Sequence, residues 1–191
     1  MIELKNICKE YNGKMVLKDQ NFCASSGDVL CIMGPSGVGK TTLLRILMGL
    51  EKADSGTVTD LSQTKLSAVF QEDRLCEDFH AVANVALVLS KSVHKKTIEE
   101  ELIRVGIPSD ELYKPVSQFS GGMKRRVAIV RCMLMEASVL LMDEPLKGLD
   151  ERNKEIVSFY INERRQGRTM IIVTHDHEDI GRFQGKIVEL T

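Results

Sequence analysis

A chain of 191 residues, 43% hydrophobic, can bury one substantial core but would be cramped as two independent domains. Its 26 basic and 27 acidic residues leave a formal charge of -1, which gives no general electrostatic pull toward nucleic acid or anionic lipid. The five cysteines (Cys8, Cys23, Cys31, Cys76, Cys132) form no CxxC pair and no metal-ligand spacing, so neither a disulfide framework nor a zinc site is expected; they read as reduced, mostly buried small apolar residues.

Met1-Ile2-Glu3-Leu4-Lys5 lacks the apolar core of a signal peptide, and the longest apolar stretch, near Val82 to Leu89, is interrupted by Asn84 and too short to span a bilayer. A soluble, cytoplasmic protein is expected. Ile2, Leu4, Tyr11 and then Val16 to Phe22 alternate like a small antiparallel sheet, turning at Asn12-Gly13. Leu30 to Met33 is an apolar run that ends at a glycine-rich loop, and Thr41 to Met48 reads as helix. Leu66 to Phe70, Val139 to Met142 and Met170 to Val173 are further strands, the last two with the continuous apolar character of a parallel sheet buried on both faces. Between those two, Glu151 to Gln166 is helical, capped by Asp150 and closed by Gly167. Leu75 to Val116 holds two helical segments. Lys95-Lys96, Glu99-Glu100-Glu101 and Arg104 carry opposite charges at helical spacing and read as a solvated helix face without chemistry. With no repeat or long linker, the middle is an insertion, about residues 75–135, within a single domain of residues 1–191.

Gly34-Pro35-Ser36-Gly37-Val38-Gly39-Lys40-Thr41, followed by Thr42, fits the phosphate-loop pattern GxxxxGK[ST] and lies between a buried strand and a helix, where that chemistry requires it. The glycines let backbone amides converge on phosphate oxygens and the helix N-terminus adds partial positive charge. Lys40 can reach the outer phosphates, and the Thr41 hydroxyl can ligand magnesium. Kinases, GTPases, helicases and transport ATPases all use such a loop, so it leaves the reaction open. Asp143 and Glu144 end an apolar strand, pointing toward the phosphate loop of a parallel sheet. Asp143 is placed for the magnesium shell, and Glu144 for a water in line with the terminal phosphate, as general base.

Phe119-Ser120-Gly121-Gly122-Met123, with Lys124-Arg125-Arg126 after it and the two carboxylates downstream, resembles the signature sequence of ABC ATPases. The resemblance covers nearly the whole chain. It implies a P-loop α/β fold: a central, mostly parallel sheet flanked by helices, a small N-terminal antiparallel part and a short inserted helical subdomain. It implies the Q-loop role for Gln71, near the magnesium and the attacking water, the D-loop role for Asp150 and the switch role for His175, which would sense the terminal phosphate. Tyr11 matches the aromatic that stacks on adenine. ATP and magnesium are the implied ligands, and cytoplasmic ATP hydrolysis coupled to transport is the implied activity.

In that family two cassettes pair head to tail, so Ser120, Gly121 and Gly122 at a helix N-terminus would contact the terminal phosphate held by the other copy, an identical or related chain. Hydrolysis would then open the pair. The implied partners are transmembrane permease subunits, which would hold the protein at the inner face of the membrane, and a solute-binding protein; no nucleic acid is implied. Val69 to Leu75 and Asn84-Val85 resemble importers of the nitrate, sulfonate and taurine type, and Leu75 and Phe79 could line a groove for a permease helix or belong to the core. Met123 and Lys147-Gly148 depart from the family's usual residues, and no regulatory domain is expected after Leu190. A non-transport ABC ATPase, acting as a nucleotide-dependent regulator or assembly switch, is the alternative; such relatives usually carry two cassettes or a long coiled coil.

Overall fold

The elements of the computed structural model, which describes residues 1–59, 61, 63–90 and 93–190, run in chain order as β1 (Ile2–Tyr11), β2 (Lys14–Ala24), β3 (Val29–Met33), α1 (Lys40–Leu47), β4 (Ser55–Val58), β5 (Leu66–Val69), α2 (Ala81–Ala86) and α3 (Lys95–Arg104). After a 3-10 turn at Val116–Gln118 come α4 (Gly121–Leu134), β6 (Val139–Asp143), α5 (Glu151–Arg165), β7 (Thr169–Val173), α6 (His177–Phe183) and β8 (Lys186–Glu189). They fall into two units. One comprises Met1–Leu66, Ala137–Glu144 and the stretch from Gly167; the other comprises Ser67–Glu136 and Pro145–Gln166.

In the first unit, β1 and β2 pair antiparallel from Ile2↔Ala24 to Tyr11↔Lys14. The Asn12-Gly13 turn has φ of 51° and 79°, the left-handed pair that a two-residue hairpin needs. β4 adds to the free side of β1, with Leu4 opposite Val58. That strand, Ser-Gly-Thr-Val, is too short and polar to show in the sequence.

Four strands of the same unit form a parallel sheet in the order β6-β7-β3-β8. Every residue of β6 and β7 is buried, as their unbroken apolar runs require. The register aligns Ile32 with Val173 and Val173 with Asp143. The segments leaving β3, β6 and β7 therefore emerge along one carboxyl edge of the sheet, the edge where open α/β sheets bind ligands. α1 buries Leu43, Leu44, Ile46 and Leu47 at helical spacing.

The second unit holds the helices α2 to α5. Ser120 caps α4 by accepting from the Met123 amide at 3.2 Å, and Asp150 caps α5 by accepting from the Asn153 amide at 2.9 Å. α5 ends at Gln166 in the left-handed conformation, one residue before the glycine that marks the stop in the sequence. α4 is buried nearly all round, Arg125 and Arg126 included.

Two expectations are corrected. Glu101 is not on a solvated face: it is 6% exposed and bonds Arg164 at 2.9 Å and Arg104 at 3.2 Å. Only Cys31 and Cys132 are buried, whereas Cys23 and Cys76 are exposed, because their strand and loop positions face solvent. Among the described residues no helix is long and apolar enough to cross a membrane.

Candidate functional site

The loop after β3 has Gly34, Gly37 and Gly39 at φ of 152°, 83° and 101°. Gly39 admits no side chain: a Cβ there would lie 2.6 Å from Leu17 Cδ2 and 2.8 Å from the Val16 carbonyl of β2. The loop is thus folded against β2 and leads into the N-terminus of α1, whose dipole favours an anion. Lys40, 8% exposed, donates to the carbonyls of Gly34 at 2.6 Å and Pro35 at 2.9 Å, so its ammonium is drawn back over the loop. Pro35, Ser36 and Gly37 form the exposed rim of this cradle, Val38 is half-buried, and Thr42 lies on the first turn of α1.

Thr41 donates its hydroxyl to Asp143 Oδ2 at 2.8 Å, joining α1 to the end of β6. Asp143 is 4% exposed. A hydroxyl and a carboxylate oxygen side by side are hard donors of the kind magnesium takes, with phosphate oxygens completing the set. Glu144, one residue on, has φ of 51° and gives its amide to the Val173 carbonyl at 2.9 Å. This kink, unusual for a residue other than glycine, turns the carboxylate out of the strand. Glu144 Oε1 lies 2.6 Å from His175 Nδ1. An ionised carboxylate only accepts, so Nδ1 carries the hydrogen and Nε2 is left for another group. His175 follows β7 with its side chain 59% exposed.

Tyr11, at the end of β1, is 39% exposed. Its hydroxyl donates to Glu51, and Lys9 Nζ sits 5.3 Å from the ring centroid and 2.9 Å from Asp54. Burial and the Glu51 carboxylate raise the Tyr11 hydroxyl above the usual tyrosine range. Sequence reasoning missed Glu51 and Lys9, for no motif marks a glutamate 40 residues from its tyrosine.

Tyr11, Gly34 to Thr42, Asp143, Glu144 and His175 all belong to the first unit; Gln71, Ser120, Gly121, Gly122 and Asp150 belong to the second. Within the second, Gln71 is exposed on a bend after β5. The start of α4 packs on the turn before α5: a Cβ on Gly122 would meet Leu149 Cδ2 at 3.4 Å and the Gly148 carbonyl at 3.6 Å. Arg126 ties both to α3, donating to Gly122, Val105 and Gly106 carbonyls and to Asn153 Oδ1 at 2.8 Å. The Asn153 amide and side chain hold the Asp150 carboxyl below the usual range.

Residues 17–147 match the ABC transporter family model. The chain is 35% identical over 204 residues to the spermidine/putrescine import ATP-binding protein PotA of Mycoplasma capricolum, covering 98% of this chain and 58% of that protein. It is 35% identical over 213 residues to the lipoprotein-releasing system ATP-binding protein LolD of Bacteroides thetaiotaomicron, covering 100% of this chain and 96% of that one. The fold superposes on the bacterial cassette MJ0796, solved as a dimer in a post-hydrolysis state with ADP and Pi, with a TM-score of 0.86 and 29% identity over 100% of this chain and 94% of that one. The chain spans a little over half the length of the import proteins it matches, 58% for PotA.

Proposed function

The chain belongs to the ABC transporter ATP-binding family, and from that premise we propose that it binds and hydrolyses ATP as the motor of a membrane transporter, an importer in our reading. The observation that carries this is the convergence, on one sheet edge, of the lysine-bearing loop, the Thr41–Asp143 pair and the Glu144–His175 pair. Loop amides and Lys40 would take the phosphates, and Tyr11 would stack on the adenine. Thr41 and Asp143, with Gln71, would hold magnesium, which when bound neutralises phosphate charge. Glu144 takes a proton from water as that oxygen attacks the terminal phosphorus and the bond to ADP breaks, giving ADP and phosphate. His175 orients the Glu144 carboxylate through Nδ1–H, and in its doubly protonated form it donates through Nε2 to the terminal phosphate.

Ser120, Gly121, Gly122 and Asp150 would act across a head-to-tail pair with a second cassette, identical or related. The capped start of α4 supports this, because its amides are ordered for an anion. Permease subunits would hold the pair at the inner face of the membrane and a solute-binding protein would deliver cargo; Phe79, 45% exposed, and half-buried Leu75 are the residues read as permease contacts. The likeness to nitrate, sulfonate and taurine importers rests on residues 69–75 and 84–85, while the relatives above carry the names of polyamine import and lipoprotein release. The test is Glu144→Gln, which should retain ATP binding and hydrolyse it about 10² to 10⁴ times more slowly, the worth of a general base. Normal turnover by that variant would refute the assignment.

A further inference from the structure

The segment Phe70 to Glu77, which carries Gln71, has no strand or helix of its own. Its polar groups are met instead from α4. Arg125, 4% exposed, donates through Nη1 to the Phe70 carbonyl at 2.5 Å and to Asp73 Oδ1 at 2.9 Å. Further along the helix, Arg131 donates to the carbonyls of Asp73 at 2.7 Å and Arg74 at 2.8 Å. Lys124 meets both oxygens of Glu77, at 2.8 and 3.0 Å. The far end is closed by Asn84, which accepts from the Cys76 amide at 2.8 Å and donates to its carbonyl at 3.1 Å. Three cations of one helix thus fasten one irregular segment, and that helix begins at Ser120.

Arg125 is the bond nearest Gln71, for it grips the carbonyl just before it and the side chain two residues after it. A planar guanidinium can serve a carbonyl and a carboxylate together, and an ammonium on a flexible stem does so poorly. Burial pushes the Asp73 carboxyl up while Arg125 draws it down, so removal of the guanidinium would leave a half-buried acid without its main cation.

We propose that Arg125 is a positioning residue for hydrolysis: by clamping the Phe70 carbonyl and the Asp73 carboxylate it fixes Gln71 to the helix that starts at Ser120. The group read as serving this copy's magnesium and the group read as touching the other copy's terminal phosphate are then held to one helix. The proposal rests on the assignment of Gln71 to the magnesium and attacking water. It is tested on the full chain with Arg125→Gln, Arg125→Lys, Asp73→Asn and, as reference, Gln71→Ala, measuring kcat, KM for ATP, melting temperature and amide hydrogen exchange over residues 70–77.

Arg125→Gln should lower kcat about tenfold, the scale of one lost charge-assisted hydrogen bond, with KM for ATP held within about twofold. Exchange at 71–75 should quicken, Arg125→Lys should recover only part of the rate, and Asp73→Asn should add little in the Arg125→Gln background. Unchanged exchange and kcat in Arg125→Gln would overturn the proposal. So would full recovery by lysine, or a kcat that falls only in step with melting temperature. Normal hydrolysis by Gln71→Ala would instead refute the reading of Gln71, and the exchange measurement would still decide whether the clamp exists.

Discussion

Gly39 and Lys40 are neighbours whose substitutions separate two kinds of damage. At Gly39 a methyl group meets Leu17 and the Val16 carbonyl, and φ is 101°, so strain and collision act together. Gly39→Ala should cost about 1–3 kcal/mol of stability and weaken ATP binding as the loop is pushed off β2. Lys40→Ala removes two bonds to loop carbonyls but creates no clash, so ATP binding should be lost with a much smaller change in melting temperature. Calorimetric melting beside nucleotide titration distinguishes the two; equal destabilisation would contradict the account of Gly39.

Elements show what the sequence could reveal. β3, β6 and β7 were legible because strands buried on both faces must be apolar throughout, and the phosphate loop because its spacing is set by the ligand it would hold. β4 and β8 were not: four residues each, they are strands by virtue of partners distant in the chain. Tyr11, Thr41, Asp143, Glu144 and His175 could be picked out as site residues, but the bonds that pair them could not, nor could Glu51, since only the fold brings these partners together. Glu101 was misread for a related reason, as charge spacing on α3 says nothing of Arg164 arriving from α5. Burial pushes the Glu101 carboxyl up, but Arg164, Tyr160 and Arg104 outweigh it and hold the group below the glutamate value of 4.5. The sign follows: the stabilisation is present above pH 4.5 and is lost as pH falls through the depressed folded value. Glu101→Gln should therefore lose about 1.5–3 kcal/mol near neutrality, the worth of hydrogen bonds to a charged group, and the gap to the parent should narrow in acid. Denaturant melts across pH would show it; a gap that widens in acid would reverse the assignment.

At the scale of the molecule, the first unit is assembled from three separate stretches of chain and the second from two. A fragment of residues 1–136 keeps the whole phosphate loop but has only β3 of the four parallel strands. It should fail to bind ATP, and fluorescence titration with a nucleotide analogue would test that; binding at the parent's affinity would mean that the loop folds without its sheet. The reason lies in part behind Gly34. A Cβ there would strike the Leu190 carbonyl at 2.8 Å, and the Leu190 amide is bonded to the Met33 carbonyl at 2.8 Å. Residues translated late thus serve as the backstop for a loop translated early. On the ribosome, a nascent chain would remain mute toward nucleotide long after its glycine motif had left the exit tunnel, until the strand at 186–189 slid in to brace it.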